Sequence, residues 1–273
     1  MSMDKADFVR KFFRDSPGTA ILLSGGVDSA VLALLASEGA CLPVAALTFR
    51  TPLVDNEEIK TAQRIAELTG LDHHLADLDV TRDPGVRANK ENRCYLCRKA
   101  LHREAISWAR NNGYGHVADG VQADEAATSR PGLRAAREDG ILHPLAEAGL
   151  TKEEVRAIAR KAALPNAERP AAPCFATRFP PGVSLDALWI GRLKEAEAAL
   201  AGKGFSNFRI RYFPPGLAML EIDPSQMQEA WACRRELAET VKREGFPVVS
   251  MDLEGLERGK MDRFLEVQDH DID

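Results

Sequence analysis

The stretch that decides the fold reads Ala20-Ile21-Leu22-Leu23-Ser24-Gly25-Gly26-Val27-Asp28-Ser29. Its apolar first half predicts a buried strand, and the apolar run from Ser29 to Ser37 predicts a helix that stops at Gly39. Between them, two glycines let the backbone turn tightly and approach a ligand without an intervening Cβ. The first amides of a helix have no intrahelical partner, and the helix dipole favours an anion there. The stretch therefore predicts a phosphate site, with Ser24 and Ser29 as hydroxyl donors and Asp28 placed to help hold Mg²⁺.

Strands and helices alternate along the chain after this turn. Strands are predicted at 43–49, 73–78 and 115–119, and helices at 56–68, 94–109, 133–138 and 151–163. The last of these helices opens with the capping box Thr151-Lys152-Glu153-Glu154. Alternation of this kind indicates an α/β domain with a parallel sheet that carries helices on both faces.

The pattern breaks between Leu164 and Val183, where five prolines exclude a regular helix or a central strand. Beyond this long loop we expect a helix (185–200), two strands (208–213 and 217–222), a helix (225–243) and a strand (247–251). The sequence therefore predicts three parts: an α/β domain over 1–170, an active-site loop or linker over 171–184, and a small C-terminal α+β domain over 185–273. The last part is expected to serve substrate binding or oligomerisation.

Composition and charge set limits on the function. The chain has 45% hydrophobic and 28% charged residues, as is usual for a soluble globular protein. No apolar run approaches the roughly 20 residues of a membrane helix, so we expect no membrane partner and a cytoplasmic location. The formal charge of -5 argues against non-specific binding of nucleic acid, although it leaves room for a local basic groove.

The five cysteines are an odd number, which argues against a disulfide framework and leaves metal or redox chemistry open. Cys94 and Cys97 form a C-x-x-C pair near a helix start, and their spacing turns both thiols to one side. Arg93, Arg98 and Lys99 surround the pair and favour thiolate.

A third thiol of interest, Cys174, lies in the proline-rich loop beside Arg178. With Cys94 and Cys97 it can supply three ligands to a [4Fe-4S] cluster, which leaves one iron open to bind exogenous sulfide. The alternatives are a structural zinc site with His102 as fourth ligand, a reversible redox pair, or unrelated thiols. Cys41 and Cys233 fit small, inert core positions.

The turn from Ser24 to Ser29 resembles the PP-loop of enzymes that cleave ATP between its α and β phosphates. The chain has neither a Walker lysine motif nor Gly-x-Gly-x-x-Gly. Further blocks resemble the LarE-type sulfur transferases of this superfamily, over about residues 17 to 222. The blocks are Asn92-Arg93-Cys94-Tyr95-Leu96-Cys97-Arg98-Lys99-Ala100-Leu101, Asp119-Gly120 with Ala123-Asp124, Arg130–Arg137, Glu147–Lys152 and Cys174-Phe175-Ala176-Thr177-Arg178.

This resemblance implies an ATP-dependent sulfurtransferase that forms AMP and pyrophosphate during biosynthesis of the nickel-pincer nucleotide cofactor. The substrate would be pyridinium-3,5-biscarboxylic acid mononucleotide, whose carboxylates are adenylated and become thiocarboxylates. Some members of the family give up the sulfur of the cysteine that matches Cys174, and others relay sulfide through a [4Fe-4S] cluster on three cysteines. With Cys94, Cys97 and Cys174 the chain resembles the second kind. The expected cofactors are ATP, Mg²⁺ and the cluster, and the expected partners are a sulfide or persulfide donor and further copies of the chain.

The resemblance also suggests roles for single residues. Asp28 and Asp124 are the candidates for Mg²⁺, Thr48 at the end of the second strand for the adenosine, and Cys174 with Asp28 for catalysis. The nucleotide is expected on Ser24, Gly25, Gly26, Val27, Asp28 and Ser29. The substrate anions are expected on Thr177, Arg178, Arg209 and Arg211, because the guanidinium fork suits phosphates and carboxylates. Glu197 is a weaker candidate.

Three departures from the family pattern bear on substrate choice. Lys90-Glu91-Asn92 replaces Pro-Pro-Asp, Val121-Gln122 replaces Thr-Asn, and Thr177 replaces serine. A tRNA thiolase and a non-catalytic ATP-binding protein are the alternative functions.

Overall fold

The computed structural model describes residues 4–128, 130–170, 172–257 and 259–263, and the chain forms two compact units. The first unit consists of Met1–Val80 and Cys94–Ala172, and the second of Thr81–Arg93 and Pro173–Asp273. Residues 81–93 join the second unit, which the sequence did not indicate. Their backbone explains the grouping, because Leu185 N donates to Arg87 O at 2.8 Å and Gly182 N donates to Asn89 O at 2.9 Å. The domain limits at 170 and 185 stay a prediction.

A four-stranded parallel sheet forms the centre of the first unit. Its strands are β1 (Thr19–Leu22), β2 (Val44–Arg50), β3 (Asp72–Asp77) and β4 (His116–Ala118), in the order β3-β2-β1-β4. The central strands β1 and β2 are buried almost throughout, since helices cover both faces, whereas the edge strand β3 alternates between exposed and half-buried residues. The predicted α/β class with a parallel sheet is confirmed.

Nine helices of the described residues precede the proline-rich loop: α1 (Lys5–Asp15), α2 (Val27–Gly39), α3 (Asn56–Thr69), α4 (Pro84–Arg87), α5 (Arg93–Asn111), α6 (Ala123–Ala126), α7 (Pro131–Asp139), α8 (Pro144–Glu147) and α9 (Lys152–Lys161). Helix α2 is apolar on nearly all sides because it lies in the middle of the main core, in contact with α1 and α9. The capping box at α9 forms as predicted. There the Lys5 ammonium, 2.8 Å away, and the Thr151 N–H lower the pKa of Glu154 to about 2.

The second unit is a small α+β structure, as expected. Its sheet has the order β5 (Arg209–Phe213), β6 (Leu217–Glu221) and β7 (Val248–Met251), with β5 and β6 antiparallel and β6 and β7 parallel. Three more helices complete it: α10 (Ala187–Ala201), α11 (Met227–Ala232) and α12 (Arg234–Arg243). The rings of Trp189, Tyr212 and Phe246 pack together, with centroids 4.6 Å apart for the first pair and 5.4 Å for Trp189 and Phe246.

Two sequence predictions differ from the structure in this unit. The single helix predicted over 225–243 is a 3₁₀ turn at Pro224–Gln226 followed by α11 and α12, which are separated at Cys233. No glycine or proline marks this break, so its sequence carried no stop signal. The predicted loop 164–183 contains a 3₁₀ turn at Phe175–Arg178. Among the described helices, none is long and apolar enough to cross a membrane.

Candidate active site

The glycine turn lies between the end of β1 and the start of α2, as the sequence predicted. The Ser29 hydroxyl donates to Gly26 O at 3.0 Å and lies 3.1 Å from the Ser24 hydroxyl. It also accepts from Ser24 N at 3.2 Å, and Gly26 N is 3.3 Å from Ser24 Oγ. The Ser29 hydroxyl thus holds the turn closed by donating to Gly26 O, and the first amides of α2 are the donors that suit a phosphate group.

Two glycines at this site have no room for a side chain. Gly25 has φ +85°, and a Cβ there would lie 2.2 Å from the Glu58 carbonyl oxygen. At Gly120, just after β4, a Cβ would lie 2.5 Å from Ser29 N. The second glycine, which the sequence gave no role of its own, therefore lets the end of β4 pack directly against the first turn of α2.

One lysine connects the two aspartates predicted for Mg²⁺. The Lys152 ammonium contacts Asp28 Oδ2 at 2.5 Å, while Lys152 N donates to Asp124 Oδ2 at 2.7 Å. Lys152 is the first residue of α9, so the capping box fixes where its side chain starts. Sequence reasoning quoted this residue within a family block and assigned it no role.

The carboxylates at this position fit a magnesium ion. Asp28 Oδ1 is buried and has no hydrogen-bond partner among the described residues. Carboxylate oxygens are ligands that Mg²⁺ accepts readily, and a buried carboxylate oxygen without a partner costs free energy that a cation would offset. The Gln122 side chain fixes the position of Asp124, because it caps α6 by accepting from Asp124 N at 2.6 Å.

An open depression of about 630 Å³ lies at Asp124 and Lys152. It is lined by Asp124, Thr151, Lys152, Glu153, Arg156 and Arg160. Lys152, Arg156 and Arg160 follow one another at helical spacing along one side of α9. Arg160 pairs with Glu168 at 3.3 Å, whereas Arg156 has no ion-pair partner among the described residues. The depression can therefore receive an anion with several charges.

Thr48, the candidate for the adenosine, has its hydroxyl engaged inside the protein. It is buried and donates to Leu23 O at 2.7 Å, just before the glycine turn. Since that hydroxyl proton is used, the neighbouring His73 Nε2 at 2.8 Å acts as donor, which excludes the neutral Nδ1–H tautomer. Burial lowers the pKa of His73, in agreement with a neutral ring. Contact between Thr48 and a nucleotide stays a prediction.

The C-x-x-C pair lies in the first turns of α5, with Cys94 exposed and Cys97 half-buried. Lys99, two residues after Cys97, pairs with both Glu138 and Asp139, so its charge is largely balanced there. The same Asp139 carboxylate lies 3.0 Å from Nδ1 of His102, whose side chain is fully buried.

His102, the fourth ligand of the zinc alternative, is fully buried, with Nδ1 on Asp139 and with Nε2 lacking a hydrogen-bond partner among the described residues. No group of three or more His, Cys, Asp or Glu side chains is placed to hold a metal ion within the described part of the chain. Cys94 and Cys97 belong to the first unit and Cys174 to the second, so a cluster on all three stays a prediction.

The Cys174 segment is fixed within the second unit by Arg178. This arginine donates from Nε and Nη2 to the two oxygens of Glu197 at 3.0 and 2.9 Å, and from Nη1 to Pro173 O at 2.8 Å. Its guanidinium carbon also lies 4.7 Å from the centroid of the Phe175 ring. The turn is closed by the Thr177 hydroxyl, which donates to Cys174 O at 2.9 Å, and the Cys174 thiol remains exposed.

Comparison with known proteins identifies the family to which this chain belongs. A family model described as asparagine synthase matches residues 6–91, which include the glycine turn. The uncharacterized protein slr1717 of Synechocystis is 36% identical over 267 residues, 97% of this chain and 99% of that protein. Pyridinium-3,5-bisthiocarboxylic acid mononucleotide synthase of Lactiplantibacillus plantarum is 28% identical over 249 residues, 91% of this chain and 90% of that enzyme. The chain belongs to the LarE-type family of PP-loop enzymes.

The predicted enzyme class, a PP-loop sulfurtransferase, is confirmed at the level of this LarE-type family. A solved structure supports the fold independently. NMN synthetase of Francisella tularensis superimposes with a TM-score of 0.51 at 18% identity, over 62% of this chain and 74% of that one. At this identity the likeness concerns the fold alone.

The arginines predicted for the substrate of this LarE-type chain have different surroundings. Arg211 is buried, contacts Glu221 Oε2 at 2.6 Å and donates to Thr177 O at 2.7 Å. Together with Arg178 it is therefore committed to holding the Cys174 turn. Arg209 has no carboxylate within ion-pair distance among the described residues and donates to Phe208 O. Burial, then the charge of Arg178, lowers the pKa of Arg209, and the more distant carboxylates Glu197 and Glu221 offset this only in part.

We expect Arg211→Met to lower the free energy of unfolding by about 3–5 kcal/mol, because it leaves the fully buried Glu221 carboxylate without its partner. The double variant Arg211→Met/Glu221→Leu should recover part of this loss, since it removes both charges. Arg50→Met, in the exposed pair with Asp77, is the matched control and should cost less than about 1 kcal/mol. Urea unfolding followed by circular dichroism checks the three variants, and equal losses at Arg211 and Arg50 would contradict the assignment.

Stability should also fall in mild acid because of His102. Burial lowers the pKa of His102 below its ordinary value of about 6.5. Between that lowered pKa and about 6.5 the unfolded chain binds the extra proton, so the free energy of unfolding declines as pH falls through this window. His102→Gln should reduce the slope by up to about 1.4 kcal/mol per pH unit. His116→Gln, at an exposed position, should leave it unchanged, and unfolding curves at a series of pH values provide the comparison.

Proposed function

We propose that this enzyme converts carboxylates of pyridinium-3,5-biscarboxylic acid mononucleotide to thiocarboxylates at the expense of ATP. The near full-length similarity to the Lactiplantibacillus plantarum enzyme named for that product carries the proposal. The contact between Asp28 and Lys152 beside the glycine turn supports the ATP half of the reaction.

ATP would place its phosphates against the glycine turn, where Ser24 and the first amides of α2 donate. Asp28 and Asp124 would hold Mg²⁺, which supplies neutralisation of phosphate charge when bound. Lys152 would then exchange its contact with Asp28 for one with a phosphate oxygen. Arg156, one turn further along α9, extends the same row of cations into the depression and would receive the departing pyrophosphate.

Adenylation gives the carboxyl carbon of the substrate a better leaving group. A substrate carboxylate oxygen attacks the α-phosphorus, the bond to the β-phosphate oxygen breaks, and pyrophosphate leaves with that electron pair. The carboxylate oxygen is now bonded to AMP, a far better leaving group than oxide. A sulfur nucleophile then attacks the acyl carbon, and AMP departs with its oxygen to give the thiocarboxylate.

The sulfur would come through the exposed thiols. Cys94, Cys97 and Cys174 would hold a [4Fe-4S] cluster, which supplies an open iron for sulfide when bound. The two exposed or half-exposed thiols on one side of α5 fit this role in their chemistry and spacing. A sulfide or persulfide donor would reload the site.

The substrate anions would be received by the second unit, for which Arg209 and Thr177 are our principal candidates. Arg209 has a guanidinium without an ion-pair partner among the described residues, whereas Arg178 and Arg211 would act mainly by holding the turn around Cys174. We also propose that the enzyme is cytoplasmic and works as a homo-oligomer.

Binding of two ligands at two salt concentrations tests this function against the tRNA thiolase alternative. A mononucleotide has a single phosphate, so its affinity should respond weakly to salt, and Arg209→Ala should weaken it about tenfold to a hundredfold while ATP binding is retained. Tight binding of bulk tRNA that declines steeply with salt, without binding of the mononucleotide, would instead support the thiolase.

A further inference from the structure

Asn166 is a buried side chain that contacts the glycine turn from the proline-rich segment. It is 2% exposed, and its Nδ2 donates to the Gly25 carbonyl at 2.7 Å. Because a carbonyl oxygen can only accept, the amide must face Gly25 with its nitrogen. Its Oδ1 is buried without a hydrogen-bond partner among the described residues. The Asn166 amide therefore makes one hydrogen bond, to the backbone of the glycine turn.

That contact fixes the orientation of a whole peptide group. In a trans peptide the carbonyl and the following N–H point in opposite directions. With Gly25 O held by Asn166, the N–H of Gly26 must face the other side, where the Ser24 hydroxyl lies 3.3 Å away. Gly25 has no Cβ and a φ of +85°. The absence of a side chain leaves the peptide between Gly25 and Gly26 free of the usual steric limit on its rotation.

We infer that Asn166 is a positioning residue for ATP: it turns the Gly25 carbonyl away from the phosphates and presents the Gly26 N–H to them. A peptide rotated the other way would place a carbonyl dipole against an anion instead of a donor. The inference rests on the proposed binding of ATP phosphates at this turn.

A neighbouring ion pair also contributes to holding the glycine turn in place. Arg169, three residues after Asn166, contacts Glu58 Oε1 at 3.2 Å and donates to Thr61 Oγ1 at 3.0 Å. The Glu58 carbonyl is the group that packs against Gly25. The turn is thus held between α3 and the segment that leads, eight residues after Asn166, to Cys174.

Calorimetric titration with inorganic pyrophosphate and Mg²⁺, and separately with adenosine, tests the role of Asn166. Asn166→Leu keeps the bulk and loses the donor, and it should weaken pyrophosphate binding about tenfold to a hundredfold while adenosine binding is unchanged. Asn166→Ala, which also lacks the donor, should weaken pyrophosphate binding to a similar extent. Glu236→Gln, in the exposed pair with Lys203, is the control and should match the wild type. Thermal unfolding identifies any variant that fails to fold. The Asn166 variant that folds is then used to compare pyrophosphate affinities.

Pyrophosphate affinity equal to the wild type in a folded Asn166 variant would overturn the inference and leave the proposed function standing. A wild-type protein that binds neither ATP nor pyrophosphate would overturn the proposed function as well.

Discussion

Asp28→Asn should lower the rate of pyrophosphate release by about two to three orders of magnitude. The variant keeps the shape of the side chain and removes its charge. Asp28 has one oxygen on Lys152 and a second, buried oxygen free of protein partners within the described residues, which is the position expected of a metal ligand. Removing one preorganised charge-stabilising group typically costs a factor of about 10² to 10³ in rate.

Release of pyrophosphate in the presence of ATP, Mg²⁺ and the mononucleotide is the measurement for this variant. Asp77→Asn is the matched control, since Asp77 is an exposed aspartate paired with Arg50 at the edge of the same sheet. It should keep the wild-type rate. Retention of at least a third of the wild-type rate by Asp28→Asn would remove Asp28 from the catalytic machinery.

Cys174→Ser should abolish thiocarboxylate formation while pyrophosphate release stays within about threefold of the wild type. Sulfur transfer follows adenylation, and the Ser24–Ser29 turn that carries out the first step belongs to the other unit of the fold. The hydroxyl preserves the size of the side chain, and the turn is held by Arg178 rather than by the thiol. Product analysis by mass spectrometry, paired with a pyrophosphate assay, separates the two steps.

The other cysteines distinguish the two ways of delivering sulfur. Cys94→Ser and Cys97→Ser should each lose the iron of anaerobically reconstituted protein, which otherwise approaches the four irons of one cluster. Cys41→Ser and Cys233→Ser, the controls, should keep it. If both C-x-x-C variants transfer sulfur normally and Cys174 is recovered as dehydroalanine, the chain gives up its own sulfur and the cluster proposal is wrong.

The glycine turn could be predicted because everything that defines it is local. A buried strand, two glycines and a helix start within ten residues leave few alternatives, and the structure places Ser24, Asp28 and Ser29 as expected. The capping box of α9 is equally local, since Thr151 and Glu154 satisfy each other's backbone and side chain.

The surroundings of the arginines could not be predicted, because their partners are distant along the chain. Strand alternation places Arg209 and Arg211 on one face, yet only the fold reveals that Glu221 neutralises Arg211 and that Arg209 lacks such a partner among the described residues. Glu197 illustrates the same limit: regarded as a weak substrate candidate, it is the carboxylate that fixes Arg178.

The contact of Asn166 with Gly25 joins residues 141 positions apart and leaves no trace in the spacing of either motif. Lys152 was visible in a family block, but its contact with Asp28 spans 124 positions. Local patterns thus predicted the groups that we propose for ATP, whereas the residues in contact with those groups became apparent only from tertiary structure.

The products formed from ATP test the central claim most directly. The enzyme, reconstituted anaerobically, is incubated with ATP, Mg²⁺, sulfide and the pyridinium mononucleotide, and nucleotides, phosphates and thiocarboxylate are quantified together. The account predicts AMP and pyrophosphate in amounts equal to the thiocarboxylate groups formed, and none without the mononucleotide. ADP and phosphate as the main products, or AMP formed without any thiocarboxylate, would contradict it.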